Sequence, residues 1–550
     1  MNQAVLPRFH PLIAQWFAEE IGQPTDVQVQ AWPKIADGEH VLITAPTGSG
    51  KTLTAFLWAI NQLVTGDLRI GHTSILYVSP LKALNNDIHR NLLRPLRELK
   101  GVFEKVGQSF PDIRALTRSG DTPQSDRRRM QRHPPEILIT TPESLNLLLS
   151  SVGGRSILTN ISTVILDEIH AVVGTKRGTH LITAVDRLVR LCGEFQRIAL
   201  SATIRPLETI AEFVAGYTID GDVHDPRYTP RCVSIVRSKA IKQYDVHVRF
   251  PQEAAADPTR ESFWDPLIGD FKEVIAKNQS TLLFANSRRL CERLTLKINM
   301  DEEQPIAYAH HGSLSREIRE TVEAKLKAGD LKAIVATSSL EMGIDIGALD
   351  EVILIQSPFS ISSAIQRVGR AGHNVGEVSR GTLFPTHSRD FLDAAVLAEA
   401  ILDGDIEAIK PVECPFDVLA QVIISMVAME MWDIDELYVQ MKTSYPYRHL
   451  RRKEFDQVLN MLAGRYADSR IRELKPRVSI DRLVIIQSLQ GKARYRRYTC
   501  LAAPSPIAAT FRCGTLRRRR ESATLMRSSC GKIKRAVYLH SVRKLGELSV

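Results

Sequence analysis

Residues 45–52 read Ala45, Pro46, Thr47, Gly48, Ser49, Gly50, Lys51 and Thr52, and this run decides the fold class. An apolar segment at 41–44 precedes it and a helical pattern at 53–63 follows it, which is the setting of a phosphate-binding loop. The glycines let backbone N–H groups turn toward phosphate oxygens, and the helix start adds positive dipole there. We expect residues 47–52 to bind ATP, with Lys51 on the β and γ phosphates and Thr52 on Mg²⁺.

A pair of adjacent carboxylates, Asp167 and Glu168, follows a second apolar run at 164–166. Parallel-sheet ligands bind at the carboxyl ends of strands, so we expect the pair to face the phosphate loop. Asp167 would hold Mg²⁺ through its water shell and Glu168 would accept a proton from the attacking water. His170 would hydrogen-bond the Ser-Ala-Thr tripeptide at 201–203. A solvated acidic turn is the alternative for this segment taken alone.

A third motif, at residues 366–373, contains Gln366, Arg367 and Arg370. If this segment is helical, the two guanidinium groups share one face, since they lie three residues apart. An arginine that reaches across a cleft stabilises charge on the γ phosphate during transfer. We therefore predict that this segment faces the phosphate loop. The alternative is a basic turn on the surface.

Short apolar runs alternate with helical patterns in two series, which predicts parallel strands with crossover helices. The first series is 41–44, 74–78, 136–140, 164–166 and 197–200, and the second is 281–284, 333–336, 352–355 and 381–384. Residues 217–258 between them are rich in Asp, Pro, Arg and Thr, which suits a linker and the first strand of a second unit. The sequence thus predicts an α/β protein with two tandem lobes, at 1–225 and 226–410.

From about Pro411 the strand signal gives way to three short amphipathic helices, the last of which ends at Gly464. Periodicity alone leaves open a small helical unit or a winged helix, and either could serve only for packing. We place this unit at 411–483.

The composition is that of a globular protein, with 44% hydrophobic and 24% charged residues in a chain of 550. We find no apolar run long enough to cross a bilayer and no secretory signal, and so expect a cytoplasmic protein. Seven cysteines without a CxxC pair argue against a disulfide framework and a structural zinc site. The formal charge of +10 is uneven: residues 484–550 hold 15 Lys and Arg against 2 Asp and Glu.

Taken in order, these blocks resemble superfamily 2 DEAD/DEAH-box helicases, and their details are similar to the bacterial large helicase-related (Lhr) family over residues 9–483. The resemblance rests on the phosphate loop, the Asp-Glu-Ile-His form of the carboxylate motif, and further blocks at 24–28, 79–84, 140–145, 285–288, 310–315 and 336–345. It implies two RecA-like lobes followed by a winged helix.

The resemblance also implies roles for individual residues. Gln28 would read the adenine edge, Gly343 and Asp345 would contact the nucleotide, Arg367 and Arg370 would be finger residues, and Gln366 would couple toward the water and His170. Contacts along a single strand would come from Ser79, Lys82, Thr141, Arg288, Gly312 and Thr337. The family is understood to move 3′ to 5′ on single-stranded DNA and to unwind DNA or DNA:RNA duplexes, and we expect a role in DNA repair.

Beyond Leu483 the resemblance stops and amphipathic order disappears, with Arg517 to Arg520 consecutive. A basic arm for nucleic acid is one interpretation. We favour another, a single-base frameshift just after Leu483, which would make 484–550 a disordered out-of-frame tail. Sequencing the gene tests this interpretation, because one base change should then restore a long homologous frame.

Three readings of the function stay open at the level of sequence. A translocase would hydrolyse ATP without separating strands, because no separating element is evident. A truncated and inactive chain would bind nucleic acid passively. RNA could replace DNA as the track, since contacts to a single-strand backbone discriminate weakly unless a 2′-hydroxyl is read.

Overall fold

The computed structural model describes residues 2–46, 48–80, 88–239, 242–251, 264–341, 349–372, 377–465, 477–485 and 496–502. Four of the residues singled out above, Thr47, Lys82, Gly343 and Asp345, lie outside these ranges. Residues 486–495 and 503–550 of the predicted tail also lie outside the described residues.

The first lobe is built on a parallel sheet. The strands of this sheet are β1 (His40–Thr44), β2 (Ile75–Val78), β3 (Ala115–Arg118), β4 (Ile137–Thr140), β5 (Thr163–Leu166), β6 (Gln196–Ser201) and β9 (Val233–Arg237). Two further strands, β7 (Tyr217–Asp220) and β8 (Arg227–Pro230), form a separate antiparallel hairpin. The sheet has the order β3-β4-β2-β5-β6-β1-β9, with every pairing parallel. Its central strands are wholly buried and mostly aliphatic, as expected for strands covered on both faces.

Helices cover both faces of this sheet. They are α1 (Pro11–Glu20), α2 (Asp26–Ala36), α3 (Lys51–Thr65), α4 (Arg94–Lys105), α5 (Gln124–Arg132), α6 (Pro142–Leu149), α7 (Val152–Ile157), α8 (Lys176–Cys192) and α9 (Leu207–Ala215). Two hydrophobic clusters lie on opposite faces, one around Phe17, Trp32 and Phe56, the other around Leu145 and Phe213.

The second lobe is also a parallel α/β unit. It contains β10 (Tyr244–Val248), α10 (Trp264–Lys277), β11 (Thr281–Ala285), α11 (Arg288–Ile298), β12 (Ala307–His310), α12 (Arg316–Lys327), β13 (Ala333–Ala336), β14 (Glu351–Ile355), α13 (Ile361–Val368), β15 (Ser379–Phe384) and α14 (Ser388–Asp403). The strand order is β10-β15-β14-β11-β13-β12, and all pairings are parallel. The predicted α/β class with two lobes is confirmed.

The segment predicted as a linker contains more structure than the sequence indicated. Strand β9 pairs with β1 and forms the edge of the first sheet, so that sheet runs to Arg237, past the predicted boundary at residue 225. Strand β10 then begins the second sheet, in agreement with the predicted first strand of the second lobe.

A third unit combines three helices with a small antiparallel sheet. Its elements are α15 (Phe416–Val427), β16 (Trp432–Asp433), α16 (Ile434–Met441), α17 (Arg452–Leu462), β17 (Val478–Ile485) and β18 (Arg496–Ala502), with the strand order β16-β18-β17. This is the winged-helix arrangement. Strand β18 lies inside the predicted tail, so antiparallel pairing reaches beyond residue 483.

The winged helix packs on the first lobe. The Ser425 hydroxyl in α15 lies 2.6 Å from the Ser150 hydroxyl and accepts a hydrogen bond from Arg187 at 2.9 Å. The backbone N–H of Tyr217 donates to the Thr443 carbonyl at 2.8 Å. In the part of the chain that the structure describes, none of the helices has the length and apolar character needed to cross a membrane.

Candidate active site

The phosphate loop joins β1 to α3. Gly48 and Gly50 have φ angles of 80° and 78°, which lie in the left-handed region that glycine adopts readily. The Lys51 ammonium donates hydrogen bonds to the carbonyl oxygens of Ala45 at 2.6 Å and Pro46 at 2.7 Å, so it lies over the loop. The Ser49 hydroxyl donates to the Pro46 carbonyl at 2.8 Å, and Thr52 lies in the first turn of α3. This is a concave loop at a helix start, the geometry of an anion site.

Gln28 in α2 is buried beside this loop. Its side-chain oxygen accepts a hydrogen bond from the Thr25 backbone N–H at 2.9 Å, and a Cβ at Gly50 would stand only 2.9 Å from its amide nitrogen. The Thr25 hydroxyl donates to the Ser49 carbonyl at 3.1 Å. Gly50 is therefore favoured by its φ angle, and a side chain there would also have to displace the end of the Gln28 side chain.

The acidic pair lies just past the end of β5. Asp167 is buried, and its Oδ1 accepts a hydrogen bond from the Glu168 backbone N–H at 2.8 Å. Its Oδ2 accepts a hydrogen bond from the hydroxyl of Tyr77 on β2. Burial raises the pKa of both carboxyls, and the charge of Glu168 raises the pKa of Asp167 further. The Lys51 ammonium opposes both shifts, which places the phosphate loop and the acidic pair in one electrostatic environment.

His170 follows the pair in a short 3₁₀ turn. Its Nδ1 accepts a hydrogen bond from the Ala202 backbone N–H at 3.0 Å and lies 3.4 Å from the Ser201 hydroxyl, so the predicted contact with 201–203 is present. Burial, and then the Lys51 charge, lower the pKa of His170 to about 3. The ring is therefore neutral near pH 7. Since Nδ1 accepts, the proton lies on Nε2, 3.2 Å from Glu168 Oε2.

In the second lobe, two buried arginines converge on Glu341. Arg367 donates to the Asn286 side-chain oxygen at 3.1 Å and to Glu341 Oε2 at 3.4 Å. Arg370 donates through Nε and Nη2 to the Glu341 backbone carbonyl at 3.1 Å and 2.7 Å. Arg367 lies in the last turn of α13, with the half-buried Gln366 beside it in the same helix.

Charges from both lobes act on the same cleft. The positive charge of Arg370 lowers the pKa of Glu168, which belongs to the other lobe. Lys242, on the segment that joins the lobes, donates to the Gly369 carbonyl at 2.8 Å. Burial lowers the pKa of Lys242 to about 8, and the charges of Arg370 and Lys51 contribute to this shift. The hydrogen bonds described for Arg370 are to Glu341 of its own lobe, and the facing of the phosphate loop and the 366–373 segment stays a prediction. The partners found for Arg367 belong to its own lobe.

The residues predicted to contact single-stranded nucleic acid follow β-strands in the half of each sheet that lies away from the phosphate loop or the 366–373 segment. Ser79 and Thr141 directly follow β2 and the adjacent β4, and Thr141 caps α6 by accepting from the Ser144 N–H at 3.4 Å. In the second lobe Arg288, Gly312 and Thr337 follow β11, β12 and β13, which are neighbours in the sheet. Arg288 and Gly312 are exposed, whereas Ser79 and Thr141 are buried at their strand ends.

Several contacts at the site were missed from the sequence. Tyr77 lies in an apolar strand and meets a carboxylate 90 residues away, which no local pattern reports. Glu341 and Asn286 belong to blocks used for the resemblance, but their role as partners of Arg367 depends on tertiary folding. Lys242 lies in the segment predicted to be a linker.

Three families of known proteins match the chain in succession. DEAD/DEAH box helicase matches residues 25–212, helicase conserved C-terminal domain matches 267–374, and the winged helix domain of large helicase-related protein matches 399–499. The third match continues to residue 499, so the prediction that the family resemblance stops at Leu483 is wrong for residues 484–499. The exact domain boundaries remain predictions.

Relatives are similar along most of this chain. A Mycolicibacterium smegmatis protein named Lhr helicase/probable uracil glycosylase is 42% identical over 512 residues, covering 87% of this chain and 33% of its own length. The ATP-dependent helicase Lhr-Core protein 2 of Thermococcus barophilus is 40% identical, covering 92% of this chain and 58% of its own. The chain thus spans between a third and three fifths of these relatives.

Solved structures agree with the fold. The structure of Mycobacterium smegmatis helicase Lhr bound to ssDNA and AMP-PNP superposes with a TM-score of 0.79 at 42% identity, covering 91% of this chain and 61% of that one. The helicase MrfA bound to DNA has a TM-score of 0.65 at 20% identity, over 93% of this chain and 61% of that one, and shows the fold alone.

Proposed function

The chain belongs to the large helicase-related family of superfamily 2 helicases, and we propose that it is an ATP-driven motor that moves along single-stranded DNA and separates duplexes. One observation carries the proposal. The charges of Lys51 in the phosphate loop and of Arg370 in the second lobe both lower the pKa of Glu168, which supports a nucleotide site between the two lobes.

The residues of the cleft fit Mg-ATP. The left-handed glycines and the start of α3 form a phosphate cradle, and side-chain bulk at Gly50 would strike Gln28. Thr52 and Asp167 offer the hard oxygen ligands that Mg²⁺ prefers. Bound there, Mg²⁺ would supply positive charge beside the β and γ phosphates. Gln28, beside the loop, would recognise the adenine edge.

The chain's own groups then divide the work. Glu168 accepts a proton from the attacking water, and Nε2 of the neutral His170 lies 3.2 Å from Glu168 Oε2. Lys51 and Arg370 stabilise negative charge on the transferred phosphoryl group from opposite lobes. Arg367 fixes Glu341, whose carbonyl in turn orients Arg370. Gln366 would couple toward the water, and Gly343 and Asp345 would contact the nucleotide.

Nucleic acid would cross the other half of both sheets. Ser79, Lys82 and Thr141 in the first lobe, with Arg288, Gly312 and Thr337 in the second, would grip one strand mainly through its backbone, which carries little sequence information. Closing of the cleft when nucleotide binds changes the distance between the nucleic-acid-binding residues of the first lobe and those of the second. We propose movement 3′ to 5′ on DNA, unwinding of DNA or DNA:RNA duplexes, and a role in DNA repair.

Steady-state ATP hydrolysis by the full chain, with no polymer, with single-stranded DNA and with single-stranded RNA, tests the motor and its track together. We expect DNA to stimulate turnover more strongly than RNA. A DNA duplex with a 3′ single-stranded overhang should then be unwound with ATP, and one with a 5′ overhang should not.

The other outcomes identify the alternatives. Stronger stimulation of ATP hydrolysis by RNA would show that RNA, and not DNA, is the track. Stimulated hydrolysis without unwinding would assign a translocase, and polymer binding without hydrolysis would assign an inactive binding protein.

A further inference from the structure

Tyr77 is a polar group inside the apolar core of the first lobe. It lies on β2, is 1% exposed, and stacks on Phe56 of α3 with ring centroids 4.9 Å apart and an interplanar angle of 29°. Its hydroxyl donates a hydrogen bond to Asp167 Oδ2. The ring therefore connects the helix that follows the phosphate loop with the first member of the acidic pair.

This contact completes the support of one carboxylate. Asp167 Oδ1 is held by the Glu168 backbone N–H at 2.8 Å and Oδ2 by Tyr77, so both oxygens have a fixed donor. Each carboxylate oxygen has two lone pairs, so one on each remains for a metal ion or its water. Phe56 lies one turn after Thr52 in α3, so the Phe56–Tyr77 stack also sets the spacing between the two proposed metal-holding residues.

We propose that Tyr77 is a positioning residue for Mg²⁺: its hydroxyl and its stack on Phe56 hold Asp167 in the orientation in which that carboxylate meets the metal at the phosphate loop. The inference rests on the proposed function. Partners that orient metal ligands typically change metal affinity or activity about 10- to 100-fold when they are removed. A purely structural hydrogen bond would instead weaken folding without a metal-specific effect.

The variant Tyr77→Phe removes the hydroxyl and keeps the aromatic stack. Its matched control is Tyr447→Phe, because Tyr447 is equally buried and its hydroxyl donates to the Pro415 carbonyl at 3.1 Å in the winged-helix region. Circular dichroism and thermal unfolding of both full-length variants establish that they fold. Binding of fluorescent AMP-PNP is then titrated with Mg²⁺ and with EDTA, and binding of Mn²⁺ to the nucleotide complex is followed by electron paramagnetic resonance.

We expect Tyr77→Phe to weaken Mn²⁺ binding about tenfold, while nucleotide affinity in EDTA stays within about twofold of the parent and the control behaves as the parent throughout. Unchanged Mn²⁺ affinity overturns the inference, and so does an equal loss with Mg²⁺ and with EDTA. If the parent chain binds nucleotide no better with Mg²⁺ than with EDTA, the proposed function fails as well, so the two failures are distinguishable.

Discussion

Glu168 adopts φ 49° and ψ 41°, a left-handed backbone that a non-glycine residue adopts only at some cost. The turn presents its carboxylate to the cleft and brings its backbone N–H to Asp167. We expect Glu168→Gln to lower kcat at least about 100-fold, because the amide cannot accept the proton from water. Binding of AMP-PNP should remain within a few-fold of the parent, since the phosphate loop is unchanged.

A suitable control for this substitution is Glu194→Gln. Glu194 precedes β6 at the opposite, amino-terminal end of the strands and pairs with Arg231 at 2.6 Å, remote from the phosphate loop. The Glu194→Gln variant should hydrolyse ATP at the rate of the parent chain. Parental turnover in Glu168→Gln itself would contradict the assignment of the general base.

His40 makes stability depend on pH. Its Nδ1 accepts a hydrogen bond from the Arg197 backbone N–H at 3.1 Å, and burial, followed by the charges of Arg197 and Arg231, lowers its pKa from 6.5 to about 4. A base whose pKa is lower in the folded than in the unfolded chain stabilises the folded state, and this stabilisation is fully present at pH values above the pKa of the unfolded chain. This contribution is lost as the pH falls from about 6.5 toward about 4.

We expect the apparent unfolding temperature to decrease between pH 7.5 and 5.5, and to decrease less in His40→Gln, which cannot take up a proton. Differential scanning calorimetry at the two pH values measures this. The substitution His224→Gln, at an exposed position, is the control. An equal decrease in the His40 variant and the parent would contradict the prediction.

At the scale of elements, the strands that could be predicted from the sequence are those that are buried on both faces of the sheet. All five strands predicted for the first lobe agree with the structure to within one residue at each end, because their aliphatic runs are buried on both faces. Strands β3 and β12 were missed, since Ala-Leu-Thr-Arg and Ala-Tyr-Ala-His lie at sheet edges and mix polar with apolar residues. Strand β9 was missed because its partner β1 lies nearly 200 residues earlier, beyond the reach of local patterns.

The candidate site divides in the same way. The phosphate loop, the acidic pair and the arginines are local motifs whose residue types report their chemistry. The supports of those residues are tertiary contacts. Tyr77 on Asp167 and Glu341 beneath Arg367 and Arg370 join segments that are distant in sequence, so periodicity and spacing carry no trace of them.

The packing of α15 on the first lobe provides a test at this scale. Arg187 is almost fully buried, burial lowers its pKa to about 10, and Ser425 accepts a hydrogen bond from its Nη2. We expect Ser425→Ala to destabilise the folded chain by about 1–3 kcal/mol, because a buried charged donor loses its acceptor. Urea denaturation followed by tryptophan fluorescence measures the change.

Lys176→Ala is the matched control for this interface. Lys176 pairs with Asp417 at 2.8 Å between the same two units, but both side chains are more than half exposed. Exposed pairs contribute little, so this variant should unfold close to the parent. If the Lys176 variant lost as much stability as the Ser425 variant, burial of Arg187 would not be the reason.

At the scale of the whole molecule, the proposed mechanism requires an arginine of the second lobe to act on the phosphate held by the first lobe. We expect Arg370→Ala to lower kcat on the order of 1,000-fold, as for other arginines that stabilise phosphoryl transfer. Arg380→Ala, at an exposed arginine on β15 of the same lobe, should retain parental activity. Stopped-flow phosphate release measures both, and parental turnover in Arg370→Ala would remove the central support of the proposed mechanism.

The packing also predicts which parts move. The winged helix is joined to the first lobe by the Ser425 contacts, by Arg190 lying 4.1 Å from the centre of the Trp432 ring, and by the backbone bond from Tyr217 to Thr443. The cleft between the lobes is instead lined by charges that nucleotide would screen. We therefore expect nucleotide to change the distance between the lobes, while the winged helix stays fixed on the first lobe.

Fluorophore pairs at exposed sites measure these distances, with labels introduced through a noncanonical amino acid at Val106 in the first lobe, Leu296 in the second and Met461 in the winged helix. With AMP-PNP and Mg²⁺, transfer efficiency between Val106 and Leu296 should change, and that between Val106 and Met461 should stay constant. Ser425→Ala weakens the interface between the winged helix and the first lobe. It should broaden the distribution of Val106–Met461 transfer efficiencies and leave that of Val106–Leu296 unchanged. A constant Val106–Leu296 efficiency in a chain that hydrolyses ATP would contradict closure of the cleft.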